Sequence, residues 1–291
     1  MSKRSRIDEK QQEFEDTDTD STDNEEEMLE QLPSTLPLLA TEKSEKTINV
    51  DFEFFDPKQG DQEQIAKLLA NYLPQTKFDL EGITNFIVSQ TRVGTVVKIE
   101  QEDVIGFVSV ININTNRSLK CVEQILEYLE KNLDQNFKEK LDELLQNEKA
   151  NVGLILDERL VNCPHILAPH IMRAIFDEIN WATEDEPTKE LQNSFKFDYI
   201  LNLTRCFVTV ESQNEKENET KNKNLEVQWP KIEDEFLMEQ SEMSSFWLPE
   251  KEIESKEFHI SPHIEKKICM LIPMKRIDKM RTNLNSLFNL N

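Results

Sequence analysis

The chain has 291 residues, 37% of them hydrophobic and 8% aromatic, and a formal net charge of −23 from 57 acidic and 34 basic side chains. That length and apolar content exclude a disordered polyelectrolyte and allow one large domain or two small ones. The sign of the charge argues against a direct grip on nucleic-acid phosphates or an anionic membrane and favours basic proteins, whose encounter it speeds over about 8–10 Å at physiological salt.

The charge is not confined to one end. Residues 1–46 hold 14 acids and 6 bases, or −8, which leaves −15 of the −23 on the body. The four cysteines, Cys121, Cys163, Cys206 and Cys269, are scattered without a CxxC pair. This argues against a structural zinc and a disulfide scaffold, and for buried reduced thiols. The N-terminus MSKRSRIDEK has no apolar leader, and no run approaches the ~18 apolar residues of a membrane span. The sequons at Asn116, Asn202 and Asn218 are therefore expected to go unused.

Residues 1–46 are expected to form a disordered acidic tail, because Asp16–Glu30 is acidic, rich in Ser and Thr, and aperiodic. Thr17 and Thr22 each have an acid three residues on (Asp20 and Glu25), a pattern acid-directed kinases favour. The Lys3–Arg4–Arg6 cluster is a minimal nuclear-import candidate. Candidate contacts to a basic partner are Asp16, Asp18, Asp20, Asp23, Glu25, Glu26 and Glu27 in this tail, and Glu233, Asp234 and Glu235 in the body.

Residues 47–291 are expected to form a single α/β domain. Val50–Phe55 alternates as a strand, and Ile65, Leu68, Leu69 and Tyr72 make a helical stripe. Asp79 is placed to cap a second helix with Ile83, Phe86 and Ile87 inward. Thr95–Ile99 and Val104–Ile113 read as paired strands, the second nearly all apolar and hence central in a sheet covered on both faces. Two further helices carry Val122, Ile125, Leu126 and Leu129, then Phe137, Leu141, Leu144 and Leu145.

Asn151–Leu156 reads as a short buried strand, Pro164–Trp181 as a helix and Phe195–Val210 as strand. A mobile loop is expected at about 211–230, where no apolar face is visible. Asp234–Trp247 fits helix or strand. Lys267–Ile272 is a last strand before a helix that opens near Pro273. The order implies a mixed twisted sheet with helices on both faces.

No catalytic, cofactor or metal site follows from these residues. Five glycines, none clustered, give neither a Walker loop nor GxGxxG. His259 and His263, with Glu257 and Glu265, have helical metal-ligand spacing, but Pro262 disfavours the helix. Cys163–Pro164–His165 lacks the context of a nucleophile. Lys275, Arg276, Lys279 and Arg281 fit the solvent face of the last helix better than a nucleic-acid patch.

Several stretches in order, VDFEFFDP (50–57), IAKLLA (65–70), VGTVVK (93–98), VIGFVSVININ (104–114), CVEQI (121–125), VGLILDERLVNCP (152–164) and MLIP (270–273), resemble the BCCIP family, whose fungal members are Bcp-type nuclear proteins. The resemblance spans about residues 48–290. It implies a fold like a degenerate GCN5-related acetyltransferase, without the activity. An active enzyme of that kind follows a central strand with a glycine-rich turn that holds the pyrophosphate of acetyl-CoA. Asp157–Glu158–Arg159 stands there instead, so a non-catalytic scaffold is expected.

The resemblance further implies a nuclear chaperone for a basic large-subunit ribosomal protein, acting in ribosome assembly and nuclear export and shuttling to the cytoplasm. The charge, the lack of an apolar span and the lack of glycine motifs lead to the expectation of no direct nucleic-acid, membrane or small-molecule partner. The alternatives are a regulatory adaptor for cell-cycle or DNA-repair proteins, and a residual acetyl-CoA-dependent acetyltransferase.

Overall fold

A computed structural model describes residues 50–73, 77–90, 92–100, 103–209, 227–249 and 263–290. The acidic tail and its candidate contacts from Asp16 to Glu27 lie outside these residues. So do 211–226 of the expected loop and His259.

From Phe52 onward the chain is one unit. Its elements are β1 (Phe52–Phe55), α1 (Gln62–Leu68), α2 (Leu80–Ser89), β2 (Thr95–Ile99), β3 (Asp103–Asn112), α3 (Lys120–Asn132), α4 (Gln135–Gln146), β4 (Val152–Arg159), α5 (Leu167–Asp185), α6 (Lys189–Ser194), β5 (Tyr199–Thr209), β6 (Val227–Gln228), α7 (Ile232–Gln240), β7 (Met243–Trp247), β8 (His263–Pro273) and α8 (Ile277–Leu287). The strands form one sheet in the order β1-β2-β3-β4-β5-β8-β7, with β6 alongside β5. The β4–β5 pair is parallel and every other pair is antiparallel.

β3 lies third in that order, between β2 and β4, and its residues from Val104 to Asn112 are all buried, as the unbroken apolar run predicts. Alternation then divides the core into two layers. On one face, Phe107, Ile111, Leu154, Leu156, Leu201 and Leu203 pack with Ile65, Ile83, Ile125 and Phe137 of α1–α4. On the other, Val108, Val110, Ile155 and Ile200 pack with Ile171, Ile175, Leu237 and Met280 of α5, α7 and α8. The expected mixed sheet with helices on both faces is what the chain forms.

Local signals set several boundaries. The carboxylate of Asp79 accepts from Gly82 N at 3.1 Å and caps α2, as anticipated. Asp134 does the same for α4 through Phe137 N at 3.0 Å. The ambiguous stretch 234–247 is both kinds of element, helix α7 followed by strand β7.

Two expectations need correcting. The loop at about 211–230 ends earlier, because Val227–Gln228 pairs with Val208 and Phe207 as β6, and Trp229 and Pro230 are half-buried. The turn expected at Asp157–Glu158–Arg159 is strand, since β4 runs on and pairs these residues with Val108, Phe107 and Gly106 of β3.

Candidate functional site

The parallel pair at the centre of the sheet opens as it runs. β4 and β5 are paired only from Val152–Ile155 against Tyr199–Asn202, although β4 continues to Arg159 and β5 to Thr209. β8 holds the other edge of β5 along its whole length. A strand has two edges, so β6 takes the edge that β4 has left. The chain behind β6 then turns down into the gap, and Lys231 begins α7 there.

The gap holds a buried ionic cluster. On the α7 side of the sheet, β4 presents Asp157 and Arg159, and β5 presents Asn202 and Thr204. From α7 come Lys231, Glu233 and Asp234, each 7% exposed or less. Arg159 Nη1 and Nη2 donate to Glu233 Oε1 and Oε2, both at 2.6 Å. Lys231 Nζ donates to the Asp157 carbonyl, and lies 3.9 Å from Asp157 Oδ2 and 3.8 Å from Asp234 Oδ2. Asp234 accepts from Asn202 Nδ2 at 2.8 Å and Thr204 Oγ1 at 2.7 Å.

Burial acts against every charge in the cluster, and the neighbours decide each outcome. Burial pushes the Asp157 carboxyl well above the carboxylate range; Lys231 opposes this, and the charge of Glu233 adds to it. No donor reaches its buried Oδ1, which a protonated carboxyl tolerates better than a carboxylate. Burial also acts against the charge on Glu233, but Arg159 outweighs it and holds that carboxylate below its usual range. Burial acts against the charge on Lys231, and Asp234 and Asp157 reverse it, so the ammonium is held above its usual value. Burial raises the Asp234 carboxyl as well, with Lys231 opposing it, so three carboxyls share two cations. The acids Glu233, Asp234 and Glu235 also occupy the first turn of α7, where the helix dipole favours them.

This placement corrects the assignment of Glu233 and Asp234 to a partner-facing surface. They are 0% and 1% exposed and already matched, whereas Glu235 is exposed. The sequence signal that escaped notice is the i, i+2 pair Asp157 and Arg159, two charges on one face of a strand, which calls for buried partners elsewhere.

The cleft does not fit acetyl-CoA. The turn after β4, residues 160–166, has no glycine to bring backbone amides close to a pyrophosphate. The opening beside it is taken by the chain's own Lys231, Glu233 and Asp234, whose removal would strand Arg159. Asp157 and Arg159 of β4 belong to a closed core network, and Glu158 between them lies on the opposite face of the strand.

Other sequence candidates fall into structural roles. The four cysteines are buried and unpaired. His263 begins β8, a strand, so helical spacing does not apply to it. Arg281 bonds Asp177 at 2.7 Å, and Arg276 donates to the carbonyls of Gln240 and Ser241, both at 3.2 Å, while Lys275 and Lys279 face solvent. Among the described residues no helix is long and apolar enough to cross a membrane.

The BCCIP family model matches residues 47–244. The Protein BCCIP homolog of Arabidopsis thaliana is 33% identical over 253 residues, covering 85% of this chain and 77% of the relative. The BRCA2 and CDKN1A-interacting protein of Bos taurus is 25% identical over 209 residues, covering 67% of each. The crystal structure of BCP1 from Saccharomyces cerevisiae overlays with a TM-score of 0.59 at 19% identity, covering 84% of this chain and 92% of that one, which matches the fold. The protein therefore belongs to the BCCIP family.

Proposed function

We propose that this chain is a non-catalytic nuclear escort for a basic client, a large-subunit ribosomal protein, which it shields from RNA before assembly and accompanies in nuclear export. The observation that carries the reading is the charge: a body at −15 behind a tail at −8. A surface of that sign captures Arg- and Lys-rich proteins quickly and disfavours the phosphates that compete for them. Tail acids from Asp16 to Glu27 and the exposed Glu235 are the contacts proposed here. The self-filled cleft supports the absence of catalysis.

Pull-down of a purified basic ribosomal protein across a salt series tests the proposal. Capture at low salt that weakens steeply as salt rises is expected. No capture at any salt concentration overturns it.

A second reading draws on the name of the bovine relative, a BRCA2 and CDKN1A-interacting protein. In that reading the chain is an adaptor for cell-cycle or repair proteins. Binding to a cyclin-kinase inhibitor that salt leaves unchanged favours it over the escort.

A further inference from the structure

α3 and α4 pack side by side over the sheet and leave a trough between them on their outer side. Its cavity is about 540 Å³. From α3 it is lined by Glu123, Leu126, Glu127 and Glu130, and from α4 by Lys138, Leu141, Asp142 and Leu145. Both sets fall at i, i+3, i+4, i+7, so each is one continuous helix face. Leu133 in the connecting turn closes one end.

The trough has an apolar floor and a charged rim. Leu133, Leu141 and Leu145 are buried and Leu126 is half-buried, while Glu123, Glu127, Glu130 and Asp142 stand exposed above them. Two bases share the lining, and both are engaged. Arg117 Nη1 donates to the Leu145 carbonyl at 2.9 Å, and Lys138 lies 4.0 Å from Glu130. Among the described residues Glu123, Glu127 and Asp142 enter no ion pair. An anionic metabolite or a nucleic acid is repelled by that rim.

We propose that this trough is the docking surface for a basic amphipathic helix of the client. The helix lays an apolar stripe at i, i+3, i+4, i+7 along the leucines and sets Lys or Arg against Glu123, Glu127 and Asp142. The seven-residue span of each wall is about 10 Å, enough for about two turns of such a helix. The proposal rests on the escort reading for its client, and it replaces a diffuse acidic attraction by a defined site.

Fluorescence anisotropy of the full chain with three synthetic helical peptides tests it. One peptide carries Leu at i, i+3, i+4, i+7 with Lys and Arg elsewhere. The second has the same composition scrambled, and the third has Glu in place of the bases. The striped basic peptide is expected to bind at least tenfold more tightly than either control. E123K/E127K/D142K, and separately L126D, should each weaken it at least tenfold, while E184K/D185K at the exposed end of α5 leaves it unchanged. Circular dichroism confirms that each variant is folded; should the triple lysine variant unfold, E123Q/E127Q/D142N is expected to weaken the peptide severalfold in its place.

Equal binding of the striped and scrambled peptides overturns the proposal, because a diffuse field then explains the affinity. So does a triple variant that binds like wild type, or self-association of the chain that the triple variant abolishes, which assigns the trough to a second copy. The escort reading fails separately. If a basic ribosomal protein is captured equally by wild type and the triple variant, the escort stands and the trough falls; if none is captured while the striped peptide binds, the reverse holds.

Discussion

Arg159 and Glu233, 74 residues apart in sequence, meet through two parallel 2.6 Å hydrogen bonds with side chains only 4% and 0% exposed. The pair ties strand β4 to helix α7 across the gap that opens between β4 and β5. Taking two such charges out of water costs several kcal/mol each, which their bidentate contact and neighbours must return. Removing one partner leaves the other charge buried and alone. E233Q and R159M should therefore each destabilise the protein by about 3–5 kcal/mol. For a domain of this size that is a Tm loss of roughly 6–20 °C. R159M/E233L, which removes both charges, should recover most of the loss. Urea denaturation of these three variants together with E233L closes the double-mutant cycle.

Lys267 carries the opposite imbalance. It is 5% exposed on the other face of β8, where its ammonium donates to the Tyr72 carbonyl at 3.1 Å. Burial pulls its pKa down to about 8, with Glu158 and Glu265 opposing only in part. A lysine with a depressed folded pKa binds fewer protons folded than unfolded between about 8 and its model value of 10.5. Stability from this group therefore rises with pH through that window and is lowest where the lysine is charged. K267M should be more stable than wild type at pH 7, by up to about 3 kcal/mol. The difference should shrink toward pH 10. Denaturation of both proteins at a series of pH values reads it directly.

Gly106 sits opposite Arg159 in the β3–β4 ladder, and a Cβ built there stands 2.9 Å from Arg159 Cβ. That contact is held by two paired strands and cannot relax without moving the strand that aims the guanidinium. G106A should cost about 1–3 kcal/mol. G60A, where a Cβ meets nothing within 4 Å, should cost less than 1 kcal/mol by the usual range for surface changes. Paired thermal melts of the two variants make the comparison.

Much of this was legible in the sequence, for a physical reason. β3 shows nine consecutive buried residues, and α3 and α4 show apolar stripes at helical spacing, because in each the burial is carried by a local period. α6 was missed because none of its six residues is buried, and only its cap marks it, with Leu191 N donating to Thr188 Oγ1 at 3.2 Å. The central cluster was missed for a different reason. By sequence, Asp157–Glu158–Arg159 reads as the turn after a strand that ends at Leu156, and Glu233 and Asp234 read as contacts to a basic partner. Only the topology, which sends α7 back into the gap beside β4, makes them one site.

That same topology decides the cofactor question. For acetyl-CoA to reach between β4 and β5, the segment from β6 to the first turn of α7 would have to leave, taking Lys231 from the Asp157 carbonyl and Glu233 from Arg159. The desolvated Arg159 would then lose both of its hydrogen bonds to a carboxylate, a cost of about 3–5 kcal/mol before any contact to the cofactor is made. The turn at 160–166 offers no glycine-flanked amides in return. Titration calorimetry of the full chain with acetyl-CoA should show no saturable heat. The striped basic peptide should bind with equal affinity whether acetyl-CoA is present or absent. A 1:1 isotherm with acetyl-CoA would mean that the β6–α7 segment opens, and E233Q, which loosens it, would then be expected to bind more tightly still.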